Sequence, residues 1–212
     1  MRRSAIFLLS LTAAAAQDAV TWRFDDPASI GGHRTTVDGS PKRIDTPKGP
    51  AIEFDGAKDG IFIDSHPLAG AAKFTWEVVF RPDRGGQAEQ RFFHLQENGS
   101  EHRMLFETRI IGDQWCLDAF VFTPTGTATL LFRNKLHPIG PWYAVAMTYD
   151  GERFRSFVNG VEQGSAEVKL TPNGPGKTSI GVRQNRVYHF KGAMREARFS
   201  RRALPVGEFL KP

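Results

Sequence analysis

Acidic, basic and amide side chains recur at alternate positions in four strand-like segments: Glu77 and Arg81, His94 and Gln96, Glu107 and Arg109, and Asp118. Alternate residues of an extended chain share a face, and a meander of these segments would set the polar residues side by side. Hydrolysis of a glycosidic bond needs two carboxyl groups roughly 5 to 9.5 Å apart, and Glu77, Glu107 and Asp118 offer such pairs. β-Elimination from a uronate needs a cation or amide against the carboxylate, a base and an acid. Arg109, Gln96, His94 and Tyr188 are of those types. The plain alternative is a set of cross-strand charge pairs on a solvated face, since polar outer faces are the rule for antiparallel sheets.

A second concentration lies at Arg183-Gln184-Asn185-Arg186-Val187-Tyr188-His189. Two guanidinium groups, two amides and a phenol ring suit sugar hydroxyls and carboxylates, although a hydrated hairpin loop has the same composition. Hard oxygen ligands for calcium exist in Asp25, Asp26, Asp55, Asp59 and Asp64. None falls in an EF-hand loop, and turn stabilisation by Asp55 and Asp59 explains them equally. No cofactor is required by any motif, and calcium is the one candidate ion. Cys116 stands alone in a strand-like run and reads as a structural thiol, with no internal disulfide available.

The elements that must position these groups are strands. Period-two alternation appears at 20–24, 51–55, 60–63, 74–81, 91–96, 103–111, 115–122, 127–132, 142–149, 154–158, 161–168, 178–182 and 190–200, and no long stretch keeps a helical period. Asp150-Gly151 and Asn159-Gly160 supply the positive φ values of two-residue primed turns and define a meander over 142–168. Phe74, Trp76, Val78, Phe80, Phe93, Leu95, Met104, Phe106, Leu117 and Val121 form the expected core. Residues 27–50 read as the longest irregular stretch, and 204–209 as a short helical turn after Pro205. The fold class is all-β, an antiparallel two-sheet sandwich.

Composition sets the outer limits. The chain has 212 residues, 40% apolar and 24% charged, with 17 Phe and one Cys, which excludes disorder and a disulfide scaffold. Arg2 and Arg3, the apolar run Ala5 to Leu11 and the small residues Ala13 to Ala16 have the order of a cleaved export signal ending near Ala16. The apolar stretch is shorter than the roughly 20 residues a bilayer span needs. The expected product is a secreted or periplasmic domain over 17–212. Without those two arginines its charge is +3, from 26 basic and 23 acidic residues. The basic residues are scattered; the densest group, Arg195, Arg198, Arg201 and Arg202, reads as a solvated face, so a nucleic-acid partner is not expected.

Three blocks carry a family pattern: Trp142-Tyr143-Ala144-Val145-Ala146-Met147-Thr148-Tyr149-Asp150-Gly151, Phe157-Val158-Asn159-Gly160, and Phe190-Lys191-Gly192 through Met194-Arg195-Glu196 to Arg202-Ala203-Leu204. With Ile52-Glu53-Phe54-Asp55-Gly56 and Phe74 to Pro82, they resemble the laminin-G-like, concanavalin A-like jelly-roll family over about residues 50–205. The resemblance implies a sandwich that binds a polysaccharide, a glycoconjugate or an extracellular protein on a concave sheet and its rim loops, through Glu77, His94, Gln96, Glu107, Arg109, Asp118, Arg183 and Tyr188. A polysaccharide lyase or glycoside hydrolase on the same face, and a structural or adhesive surface protein, are the alternatives. The glucanase branch carries E-x-D-x-x-E on one strand; here Glu53-Phe54-Asp55 begins it and Lys58 ends it. The family's Asp before Glu196 is Arg195.

Overall fold

A computed structural model describes residues 19–212; the expected export segment, 1–16, lies outside the described residues. The strands, in chain order, are β1 (Ala19–Arg23), β2 (Ser29–Ile30), β3 (His33–Arg34), β4 (Thr36–Asp38), β5 (Lys42–Thr46), β6 (Gly49–Asp55), β7 (Gly60–Ile63), β8 (Phe74–Pro82) and β9 (Glu89–Glu97). They continue with β10 (Arg103–Ile111), β11 (Gln114–Thr123), β12 (Gly126–Leu131), β13 (His137–Pro138), β14 (Tyr143–Tyr149), β15 (Arg153–Val158), β16 (Val161–Glu167), β17 (Gly176–Ile180) and β18 (Lys191–Ser200). The helical content of the described residues is one short 3-10 turn, Val206–Glu208, where Pro205 was expected to start one.

Two antiparallel sheets result. The back sheet runs β16-β15-β14-β8-β18-β6-β5, with β1 on the far half of β18. The front sheet runs β12-β11-β10-β9-β17-β7-β4, with β13 beside β12 along β11. The fold is the expected antiparallel β-sandwich. Residues 27–50, expected to be irregular, instead hold β2 to β5. β4 and β5 are edge strands of the two sheets, and β2 and β3 pair only with each other in a separate two-stranded ribbon, so their half-exposed, polar sequence lacks a clean apolar alternation.

The ten expected core residues all enter one buried cluster. They do so from two facing sheets, and the reason is aromatic packing. Trp76 and Phe80 of β8 meet Phe93, Phe106, Phe92 and Trp115 of the front sheet, with ring centroids 4.4 to 5.1 Å apart. Tyr143, Val145, Met147 and Tyr149 of β14 point into the same cluster. Of the two expected primed turns, Asn159-Gly160 is one, with φ of 50° and 79°. Asp150 instead accepts the N–H groups of Glu152 and Arg153 in a three-residue turn, and only Gly151 has positive φ.

The back sheet's outer face is closed by the chain's own tail. Ala146 and Phe157 pack against Leu204 and Phe209. Thr75 Oγ1 donates to the Arg202 carbonyl and accepts from Leu204 N–H. Glu77, only 1% exposed, accepts both Arg198 Nε and Nη2 at 2.6 and 3.0 Å and also Leu210 N–H at 2.7 Å. Arg198 is therefore the half-buried partner of a buried carboxylate, not part of a solvated basic face. Removing one member of such a pair leaves the other charge uncompensated. Glu77→Ala is expected to cost about 3 kcal/mol, read as a lowered urea midpoint; an unchanged midpoint would show that the clamp does not hold the tail.

Candidate functional site

The two outer faces are unlike, because among the described residues no tail crosses the front sheet. Its outward residues come from β9, β10, β11 and β12 in cross-strand rows. Glu107 faces Asp118, Leu105 faces Phe120, which faces Thr129, and Arg103 faces Phe122. The alternation of β9 is broken opposite Phe106 and Glu107: Phe106 pairs with Phe93 but Glu107 pairs with Arg91. The extra residue, Phe92, is a β-bulge that stays in the core. Arg91 and Glu89 thereby turn outward beside Glu107 and Arg109.

These groups form one charge network. Asp118 Oδ2 accepts Arg109 Nε and Nη2 at 2.9 and 2.6 Å. Glu107 Oε2 lies 2.8 Å from Arg91 Nε and 3.0 Å from Arg109 Nη2. Those contacts are ionic, since neither has the alignment of a hydrogen bond. Glu89 pairs with Arg91 at 3.0 Å and also with Arg109. Two carboxylates directly opposite each other repel, and Arg109 bridges them. The network is incomplete: Asp118 Oδ1 is buried without a hydrogen-bond partner.

Above this network the front face sinks into a depression of about 230 Å³. Leu105, Phe120 and Thr129 line its middle, Glu107 and Asp118 one end, and Arg103 and Arg183 are also on its wall. The Arg103 guanidinium lies 4.9 Å from the Phe120 ring centroid. Burial, and then the neighbouring Asp118 charge, push the Glu107 carboxyl up to about 7, against the pull of Arg91 and Arg109.

Arg183 comes from the segment between β17 and β18, which folds over β9. Gln184 N–H donates to His94 Nδ1 at 3.1 Å, so His94 Nε2 carries the proton of the neutral ring. Burial, followed by the charges of Arg183 and Arg103, lowers the His94 pKa well below its ordinary value. Arg186 and Tyr188 both have φ of 61°, a conformation that costs a non-glycine residue on the order of 1–3 kcal/mol. Contacts hold it: Arg186 pairs with Asp38 at 2.6 Å, Arg91 N–H donates to the Tyr188 carbonyl, and the Arg91 guanidinium stacks 3.8 Å from the centre of the Tyr188 ring.

The expected site residues therefore divide. Glu107, Arg109, Asp118 and Arg183 line the depression, and Tyr188 reaches it through Arg91. His94 is only 1% exposed beneath the Gln184 loop, and Gln96 Nε2 is committed to the Ser100 carbonyl. The base and acid of an elimination are thus not assembled at the open surface. Glu77 is a correction: β8 pairs with β14 and β18 in the back sheet, so Glu77 faces the opposite side of the sandwich. Arg91, Arg103, Leu105, Phe120 and Thr129 were missed. The doublet Phe92-Phe93 was the available signal for the bulge that exposes Arg91.

The two turn aspartates considered for calcium are engaged by backbone N–H groups. Asp55 Oδ1 accepts the N–H groups of Ala57, Lys58 and Asp59, while Asp59 accepts those of Ser40 and Asp55. Among the described residues, no group of three or more His, Cys, Asp or Glu side chains is placed to hold a metal ion. Cys116 is a buried free thiol.

The chain matches the model of the concanavalin A-like lectin/glucanases superfamily, laminin G type, over residues 55–208, and belongs to that family. No curated protein matches it. Among solved structures it is similar to domain 4 of AbnA, an extracellular arabinanase from Geobacillus stearothermophilus in complex with arabinotriose, with 18% identity, 91% of this chain and 97% of that chain covered, and a TM-score of 0.66. It is also similar to the binding domain of Paraclostridial Mosquitocidal Protein 1 (11% identity, TM-score 0.66) and to that of Botulinum Neurotoxin DC in complex with SialylT (9%, TM-score 0.63). Each of those two alignments covers 90% of this chain and 50% of the toxin chain. At these identities the likeness is one of fold. No helix among the described residues is long and apolar enough to cross a membrane.

The Glu107 shift has a thermodynamic consequence. Between its ordinary value of 4.5 and about 7, the folded state retains a proton that the unfolded chain has released, so this group makes stability fall as pH rises through that window. The Glu107→Gln variant is expected to lose that part of the slope in urea unfolding from pH 4.5 to 7. Identical slopes in the two proteins would show that Glu107 titrates normally.

Proposed function

We propose that this domain is a non-catalytic, secreted recognition module that binds glycan in the depression of the front sheet. One observation carries the reading. Over an apolar and aromatic floor of Leu105 and Phe120, the depression collects partnerless polar atoms, the Asp118 Oδ1 acceptor at one end and the Arg103 Nε donor on its wall. Sugar rings present just this combination, a face of C–H groups and a rim of hydroxyls that both donate and accept. The strained, clamped loop behind Arg183 supports it, because a site that holds its side chains in place before binding loses less entropy when it binds. The family membership and the arabinotriose complex of a structurally similar domain agree with it. A protein partner remains the competing ligand class.

A glycan array with the mature protein, followed by calorimetry on the best oligosaccharide, tests this reading. Phe120→Ala is expected to weaken binding about tenfold or more, the loss of roughly 1.4 kcal/mol of ring contact, with the urea midpoint little changed. Full affinity in that variant would remove the depression as the site.

A hydrolytic reading has one observation in its favour. Glu107 and Asp118 approach the same nitrogen of Arg109, and the Glu107 pKa is raised, as a general acid of a carboxylate pair requires. Both carboxylates are nevertheless engaged by arginines. New reducing ends on incubation with β-glucans or arabinan, abolished by Glu107→Gln, would establish hydrolysis; none are expected.

A further inference from the structure

The guanidinium groups around the depression are not all accounted for by its carboxylates. Arg91, Arg103, Arg109 and Arg183 line it against Glu107 and Asp118. Arg91 and Arg109 are spent on those two acids and on Glu89. Arg103 Nη1 donates to the Glu101 carbonyl at 2.7 Å and the guanidinium lies over the Phe120 and Phe122 rings, but its one ion pair is a 3.6 Å approach to the Glu101 carboxylate, whose side chain is 78% exposed, and such a pair is worth little in water. Its Nε is buried and has no hydrogen-bond partner. Arg183 has no ion pair among the described residues. Arg103 and Arg183 both line the depression, and burial and the nearby Arg183 charge both depress the pKa of Arg103.

Like charges that share a wall with little opposing charge are costly to hold together, and here a strained loop holds one of them in place. We propose that the ligand is an acidic saccharide whose anionic substituent, carboxylate or sulfate, lies between Arg103 and Arg183 while neighbouring hydroxyls reach Asp118 Oδ1. This rests on the glycan reading above and adds the charge of the ligand. Charge-assisted pairing with guanidinium is directional, and bidentate where geometry allows, so it fixes the orientation of a sugar whose ring lies over Leu105 and Phe120. Asp118 and Glu107 at the other end then repel a second anionic group. Selection of saccharides whose charges are spaced apart follows.

The test uses matched pairs that differ only in charge. Oligosaccharides of galacturonate, glucuronate and mannuronate are compared with their methyl esters, and a sulfated galactan with its desulfated form, by calorimetry at low and at about 0.15 M salt. At least one acidic member is expected to bind, and to lose about tenfold or more when its charge is removed. Arg183→Gln and Arg103→Gln should each reproduce that loss on the acidic ligand with the urea midpoint retained, whereas Lys58→Gln, remote from the depression, should not. If no acidic member binds, if esterified and desulfated forms bind as tightly, or if Lys58→Gln weakens binding as much, the proposal is overturned. Binding of neutral forms that is lost in Phe120→Ala would overturn the charge assignment and leave the glycan reading standing; binding that survives Phe120→Ala would overturn both.

Discussion

Phe92 and Phe93 are consecutive, and both are fully buried in the same core. An extended strand cannot point neighbouring side chains to one side, so the chain inserts an extra residue there. Phe92 stacks on Phe80 with ring planes 5° apart and on Phe106 at 9°, which ties the bulge to β8 across the sandwich and to β10 beside it. Everything outward on β9 takes its register from this point. Without the bulge, Arg91 would face the core and Glu107 would lose one of its two guanidinium partners. The polar site is thus a consequence of how the aromatic layer is packed.

Given that register, the front face must solve an electrostatic problem. Glu107 and Asp118 are 4% and 2% exposed and sit directly opposite each other. Water cannot screen them well, and burial alone favours the protonated acids. Arg109 answers Asp118 with two N–H groups, while Glu107 receives two ionic contacts of poorer alignment. Burial, and then the Asp118 charge, raise the Glu107 pKa against the pull of these arginines. The unequal solution also leaves lone pairs and donors unused around an open depression, a costly condition unless something else meets them.

The strands themselves were legible in the sequence, since thirteen alternating runs correspond to thirteen strands within a residue or two at most ends. Local alternation and turn residues are properties of neighbouring residues, and so is the family pattern at 142–151. What local order cannot show is which sheet a strand joins. The segment after β8 crosses from one sheet to the other, so Glu77 follows the expected parity and still faces away from Glu107. The burial of His94 is likewise a long-range event, set by a loop ninety residues later in sequence. Residues 27–50 escaped notice for a different reason: their ladders are sheet edges and a separate two-stranded ribbon, where backbone pairing needs little apolar patterning.

The sandwich has two outer faces, and the sequence decides which is free. On β14 the outward residues Ala144 and Ala146 are small, which lets Leu204 and Phe209 lie close to the back sheet while Glu77 and Thr75 satisfy the tail's N–H groups. On β10 and β11 the corresponding residues are Leu105, Glu107, Arg109, Asp118 and Phe120, too large and too charged for a peptide segment to lie flat over them. A tail placed there would bury carboxylates and guanidinium groups against backbone that cannot neutralise them. The small residues close one face, and the charged ones keep the other open to whatever carries matching charge from solution.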